Sequence, residues 1–225
     1  MKKICSCIFF CAFFCGTAFA QQILTAGSFF QSVSENYGGL RDYEATIKIT
    51  AAKNDMEGRI SFKRPNLLRI DFTRPDEQVI VFNGDVLTIY LVELNAVLNQ
   101  YVSSSGGGVS GANLATPQGL SLMSRYYTIA YKTGQDPVPL EPDSEEMVVQ
   151  LLLSRKNTSE GFRTLTLSVD PDTRLIRRIE GTTVTNDVFL FDFTNYALNQ
   201  GIPDTRFIYD APSSANNYNN FLFAE

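Results

Sequence analysis

Across residues 58–90 apolar and polar side chains alternate with a period of two. Ile60 and Phe62 alternate with Arg59, Ser61 and Lys63, and Leu68, Ile70 and Phe72 with Leu67, Arg69 and Asp71. Arg64-Pro65-Asn66 and Arg74-Pro75-Asp76 interrupt the pattern, and Asn83-Gly84-Asp85 separates residues 78–82 from residues 86–90. Alternation bounded by Pro and Asn-Gly predicts four short strands in an antiparallel meander. Each proline fixes φ and removes a ladder donor, so both are expected between strands.

The same reading extends along the chain. Ile23, Ala26, Phe29, Phe30 and Val33 recur near helical spacing, which predicts a helix over residues 23–37 with Thr25 as a cap and Gly38-Gly39 as its stop. Residues 43–52 and 96–102 alternate as strands, with a turn at Lys53-Asn54-Asp55. Residues 103–113, SSSGGGVSGAN, read as a flexible loop. No Gly-Lys-Ser/Thr follows it, which argues against a phosphate loop. Thr116-Pro117 opens a short helix, with Pro at the first helical position. Leu120, Leu122, Met123 and Tyr126-Tyr127 give that helix more apolar surface than a short surface helix needs. Residues 134–144 hold three prolines and read as a loop. Residues 147–153, 162–169, 175–184, 188–198 and 205–209 read as strands, and 213–220 as a loose Asn-rich tail. About eleven short strands and two helices predict a mainly β chain, with one antiparallel sheet that curls. No linker separates the halves, so residues 21–225 are expected to form one domain.

The N-terminus stands apart. Lys2-Lys3, an apolar run over residues 4–14 and Ala18-Phe19-Ala20 have the form of a secretory signal peptide, with cleavage expected after Ala20. An uncleaved anchor is the alternative. Bulky Phe13-Phe14 argue against a lipid-modified Cys15. Cys5, Cys7, Cys11 and Cys15 all lie in this segment, so the mature chain is expected to have no disulfide and no thiol nucleophile. The chain has no histidine, which removes the commonest general base and metal ligand. Removing Lys2 and Lys3 from 19 basic residues leaves 17 against 24 acidic, a mature charge of about −7. Such a chain lacks the electrostatic footprint for nucleic acid and gains nothing from anionic membrane surfaces.

Candidate chemistry is sparse. Asp71 and Asp76-Glu77 could form an acid/base pair, but carboxylates on strand faces and in turns are usually solvated. Asp170-Pro171-Asp172 and Asn83-Gly84-Asp85 lack the full spacing of a calcium loop, and turn residues explain both. No cofactor, metal or enzymatic activity is expected. What remains is apolar. Residues 79–82, 87–91 and 147–153 carry hydrophobic side chains on both faces, and Phe and Tyr number 17 and 10, enough to line a pocket as well as fill a core. Periodicity alone favours an ordinary sandwich core.

Gly58, Phe62-Lys63-Arg64-Pro65-Asn66-Leu67, Thr73-Arg74-Pro75-Asp76-Glu77, Asn83-Gly84 and residues 87–90 together resemble the periplasmic outer-membrane lipoprotein carrier family, LolA. The clear match covers about 35 residues, with weaker similarity in element order over most of the mature chain. The resemblance implies an unclosed half β-barrel with helices as a lid over its open side. It implies a periplasmic carrier that holds the acyl chains of lipoproteins in an apolar cavity between the two membranes. On that reading Leu68, Ile70 and Phe72 line the cavity with Val81 or Phe82 of the next strand, and Leu120 and Met123 line it from the helix. Arg64 stands where the family has an arginine that ties the lid shut, here to carbonyls of residues 120–126; a solvated turn arginine is the alternative. Leu68 stands where family members can have an aromatic residue used in receiving cargo. The implied partners are acylated lipoproteins and an inner-membrane ATP-driven transporter, with an outer-membrane receptor as a further candidate; a monomer is expected. The alternative function is an envelope binding module of the same fold that senses lipid or lipoprotein.

Overall fold

The computed structural model of the chain describes residues 24–51, 54–102 and 114–220. The expected signal segment, Ile23, Lys53 and the loop over 103–113 lie outside the described residues. Helix α1 (Ala26–Gly39) leads into six consecutive strands: β1 (Asp42–Ala51), β2 (Asn54–Lys63), β3 (Leu67–Arg74), β4 (Asp76–Phe82), β5 (Val86–Leu91) and β6 (Ala96–Tyr101). Helix α2 (Pro117–Tyr126) follows, then β7 (Tyr127–Tyr131), β8 (Val138–Pro139), β9 (Met147–Arg155), β10 (Phe162–Val169), β11 (Ile176–Thr183), β12 (Val188–Leu198) and β13 (Asn216–Asn219). The strands form one unclosed sheet in the order β13-β6-β5-β4-β3-β2-β1-β12-β11-β10-β9-β7, with β8 on β9. Every pairing among the described residues is antiparallel except that of β13 with β6.

The turns follow from their residues. Asn83 Oδ1 accepts from the N–H groups of Asp85 and Val86, and Gly84 takes φ of 108°. Thr25 caps α1 by accepting from the Ser28 N–H. Gly38 and Gly39 form the last turn of α1, and Leu40 rather than the glycine pair is its C-cap.

Register puts one apolar row after another on the concave face. Tyr43, Ala45, Ile47 and Ile49 of β1 pair with Phe62, Ile60, Gly58 and Met56 of β2. Phe62, Ile60 and Gly58 in turn pair with Leu68, Ile70 and Phe72 of β3. At Gly58 the β3 backbone comes so close that a Cβ would lie 2.3 Å from the Asp71 carbonyl oxygen. The ladder shifts register at this point, between Glu57 and Gly58, as bulged strands do where a sheet bends.

The segment after β12 differs from its expected form. Residues 204–207 make a short 3-10 helix (Asp204–Phe207) instead of a strand, because Arg206 N–H and Ile208 N–H bond back to Pro203 and Thr205 carbonyls. The tail expected to be loose is strand β13. Asn216 N–H and Asn220 N–H donate to Asn95 and Asn99 carbonyls, and Asn95 Nδ2 donates to the Ser214 carbonyl. With β7, β8 and β13 added and the 205–209 strand removed, the sheet has thirteen strands among the described residues.

This segment straps the convex face. Val79, Val81, Tyr90 and Val97 form a second apolar cluster there, closed by Tyr209, Ala211 and Ala215. Asp71 sits between Arg69 (Nη2 to Oδ1, 2.7 Å) and Arg206, which also bonds it. Arg69 Nη1 reaches the carbonyls of Arg206 (3.2 Å) and Ile208 (3.1 Å). Partial burial raises the Asp71 pKa, but the two arginines outweigh it and the carboxyl titrates below its ordinary range. A depressed folded-state pKa contributes stability that is present above the unfolded value, about 3.9, and lost as pH falls through the folded value. Acidification from pH 5 to 3 should therefore loosen residues 204–220 before the rest of the sheet, as read by hydrogen exchange. Asp71→Asn should loosen them at neutral pH. Uniform loosening of all strands would contradict this role.

Candidate functional site

Both helices cover the concave face. Ala26, Phe29, Phe30, Val33 and Tyr37 of α1 and Leu120 and Met123 of α2 are buried in one core with the inner rows of β1–β3 and β9–β12. The two helices are held differently. Helix α1 is fixed along its length. Tyr37 Oη accepts from the Ile176 N–H (3.1 Å) and lies 3.1 Å from the Tyr196 hydroxyl, and Asn36 Nδ2 donates to the Thr173 carbonyl. Arg174 lies over the Phe29 ring. Burial raises the Tyr37 pKa to about 12, so this hydroxyl stays neutral.

Among the described residues, the polar ties between α2 and the sheet lie at the two ends of the helix. The buried Tyr43 hydroxyl donates to the Ala115 carbonyl at 2.7 Å, just before the Thr116 N-cap. Lys156 Nζ donates to the Ser124 (3.3 Å) and Arg125 (3.0 Å) carbonyls at the other end. A cation on the last carbonyls also suits the helix dipole. Tyr43→Phe should keep the ring contacts with Tyr37, Phe62 and Tyr196 and leave the Ala115 carbonyl unsatisfied. A cost of about 1–3 kcal/mol is expected. It should appear as faster hydrogen exchange over residues 114–126 than over α1; equal acceleration in both helices would refute a specific tie.

The apolar face does not end under the helices. Met56 packs on the main core and also lines an open cleft of about 480 Å³, together with Gln78, Leu91 and Leu94. Asn54, Asp55, Arg74, Pro75 and Glu93 complete the cleft wall. Ile80 and Phe82 of β4 are half-buried against the core. The site thus has a closed part beneath α2 and an open part on β2–β5, on one continuous face.

The expected site residues distribute unevenly over it. Leu68, Ile70, Phe72, Leu120 and Met123 come together in the closed core, with Ile70 1% and Leu120 0% exposed. Phe82 pairs with Leu68 and packs against that core. Val81 does not join them: it pairs with Arg69 and lies in the convex cluster. Adjacent residues of a strand point to opposite faces, so Val81 and Phe82 cannot share one cavity wall. Arg64 is exposed, and among the described residues its side chain has no hydrogen bond or ion pair; its backbone N–H bonds the Arg41 carbonyl. The tie expected of Arg64 is made in this structure by Tyr43 and Lys156. Sequence reasoning missed Tyr43. Its signal was a phenol on an inward row otherwise filled by Ala45, Ile47 and Ile49, where a buried hydroxyl needs a partner.

Among the described residues, Asp71 and Asp170 are taken up in structural contacts. Asp71 is bound by two arginines on the convex face. Asp170 Oδ1 accepts from the Asp172 and Thr173 N–H groups of its own turn. Among the described residues no group of three or more Cys, Asp or Glu is placed to hold a metal. No described helix is long and apolar enough to cross a membrane.

The family model described as outer membrane lipoprotein carrier protein LolA matches residues 48–210. An outer-membrane lipoprotein carrier protein of Leptothrix cholodnii is 27% identical over 202 residues, 89% of this chain and 86% of that one. One from Pseudomonas aeruginosa is 26% identical over 156 residues, 69% of this chain and 67% of that one. Among solved structures, an uncharacterized conserved protein from Thermus thermophilus superposes with a TM-score of 0.57 at 13% identity, covering 86% of this chain and 98% of that one. The Pseudomonas aeruginosa MucA/MucB complex gives 0.50 at 12% identity, covering 85% and 62%. At these identities the structures show the shared fold alone. With the family model spanning most of the strands that build the concave face, the chain belongs to the LolA family of outer membrane lipoprotein carrier proteins.

Proposed function

We propose that this chain binds the acyl chains of lipoproteins on its concave face, beneath α2, and carries them through the periplasm from the inner to the outer membrane. The observation that supports this most is the continuity of one apolar face from the closed core at Leu120 and Met123 to the open cleft at Met56 and Leu91. Each methylene removed from water is worth about 0.8 kcal/mol, so acyl chains cannot cross an aqueous space uncovered. Acyl chains entering at the open part would replace the contacts that Leu120 and Met123 make with the sheet. The helix tied at its ends, α2, is the one able to yield. Segment 1–20 is read as the export signal, with residues 21–225 the working domain. Loading falls to an inner-membrane ATP-driven transporter and delivery to an outer-membrane receptor or the membrane itself.

The test is release from energised inner-membrane vesicles that hold a triacylated lipoprotein. Adding the purified chain should bring the lipoprotein into solution as a complex, and added outer membranes should then take it up. Failure to release any lipoprotein, with only free lipid bound, would instead favour a sensing module.

A further inference from the structure

We propose that the acyl-binding surface runs past the lid to the edge of the sheet, where Tyr218 of β13 forms its outer wall. This rests on the carrier reading and adds a subsite to it. Ile80 of β4 pairs with Ile89 of β5, Ile89 with Leu98 of β6, and Leu98 with Tyr218 of β13. Paired residues point to the same face, so these four side chains form one row across four strands. At about 4.8 Å per strand the row is roughly 14 Å long.

The row changes character along its length. Ile80 packs against the main core, whereas Ile89 and Leu98 are half-buried and lie outside it. Tyr218 is 53% exposed. This ring is held in place, not left on a free end: β13 is fixed to β6 by the Asn216 and Asn220 ladder bonds. Ala215, just before it, is buried in the convex cluster. A fixed aromatic ring that continues a half-open apolar row is suited to an acyl chain leaving the core. Its hydroxyl can meet the ester end while its face meets methylenes. Phe82 and Leu87 give a second, parallel apolar pair beside it. Strand β13 lies beyond residue 210, where the family match ends.

The experiment places the photo-crosslinker p-benzoylphenylalanine singly at positions 82, 89, 218 and 208 of the full chain. Ile208 is exposed on the strap and serves as the convex control. The probe is a triacylated lipopeptide, with the crosslinked atoms located by mass spectrometry. Crosslinks to acyl carbons are expected from 82, 89 and 218 and not from 208. Tyr218→Asp should weaken binding of the same lipopeptide about three- to tenfold without moving Tm, and Tyr218→Phe should not. Acyl crosslinks from 82 with none from 218, or crosslinks from 218 to the peptide alone, would overturn this subsite and leave the carrier reading standing. An absence of crosslinks from every concave position would overturn both.

Discussion

Ile80→Asp should lower affinity for an acylated lipopeptide about 100-fold, roughly 2.8 kcal/mol, with the fold retained. Ile80 sits where the closed core meets the open part of the concave face, paired with Ile70 on one side and Ile89 on the other. Losing its apolar surface removes about 1.5–3 kcal/mol of burial against a bound chain. The carboxylate must also be stripped of water when the chain arrives. In the free protein Ile80 is half-buried, so Asp can stay hydrated there and the stability cost should be about 1–2 kcal/mol. Ile208→Asp, on the exposed strap, should leave affinity unchanged. Titration calorimetry of both variants decides the matter, and equal affinities would remove β4 from the site.

Gly58→Val should destabilise the chain by about 3 kcal/mol and lower Tm by roughly 6–12 °C. The nearest atoms to an added Cβ are backbone: the Asp71 carbonyl oxygen at 2.3 Å and Phe72 Cα at 2.9 Å. Backbone cannot rotate aside as a side-chain tip can, so β2 and β3 would have to separate at the bend. That bend brings Phe72 under the helices and Met56 to the cleft, so acyl binding should fall with stability. Thermal unfolding of Gly58→Ala and Gly58→Val checks this; wild-type Tm for both would show that the close approach does not constrain the sheet.

Much of this architecture is legible in the sequence, and the exceptions have physical causes. The meander of residues 58–90 is recovered because its alternation, its prolines and Asn83-Gly84 all agree. The two-sided hydrophobicity of residues 79–82 and 87–91 has an explanation that periodicity cannot supply. One face of residues 79–82 packs on the main core through Ile80 and Phe82 and the same face of residues 87–91 lies half-open beside it, while the other face is covered by a strap from residues more than a hundred positions later. Strand β13 escapes notice because Asn is a poor strand former, and its place depends on hydrogen bonds donated by the side-chain amides of Asn95 to the Ser214 carbonyl and of Asn99 to Asn219 Oδ1. Strand β7 escapes because Tyr126-Tyr127 continues the apolar pattern of α2; Tyr127 caps the helix on the Met123 carbonyl and turns extended at once.

The candidate site is read less completely than the fold. Five of the expected lining residues meet in one core, since they follow strand and helix period. Val81 shows the limit of naming neighbours without committing to a face. The Arg64 position follows from a motif, whereas the observed ties at Tyr43 and Lys156 depend on contacts across 72 and about 31 positions of sequence. No local pattern encodes such separations.

In the proposed function the concave face takes the acyl chains and the rest of the cargo contributes little. The direct measurement is titration calorimetry of the chain with one lipopeptide in triacylated and deacylated forms, at several temperatures. Saturable binding of the triacylated form with a negative heat-capacity change is expected, and no measurable binding of the deacylated form. Equal binding of both forms, or none of the triacylated form, would contradict it.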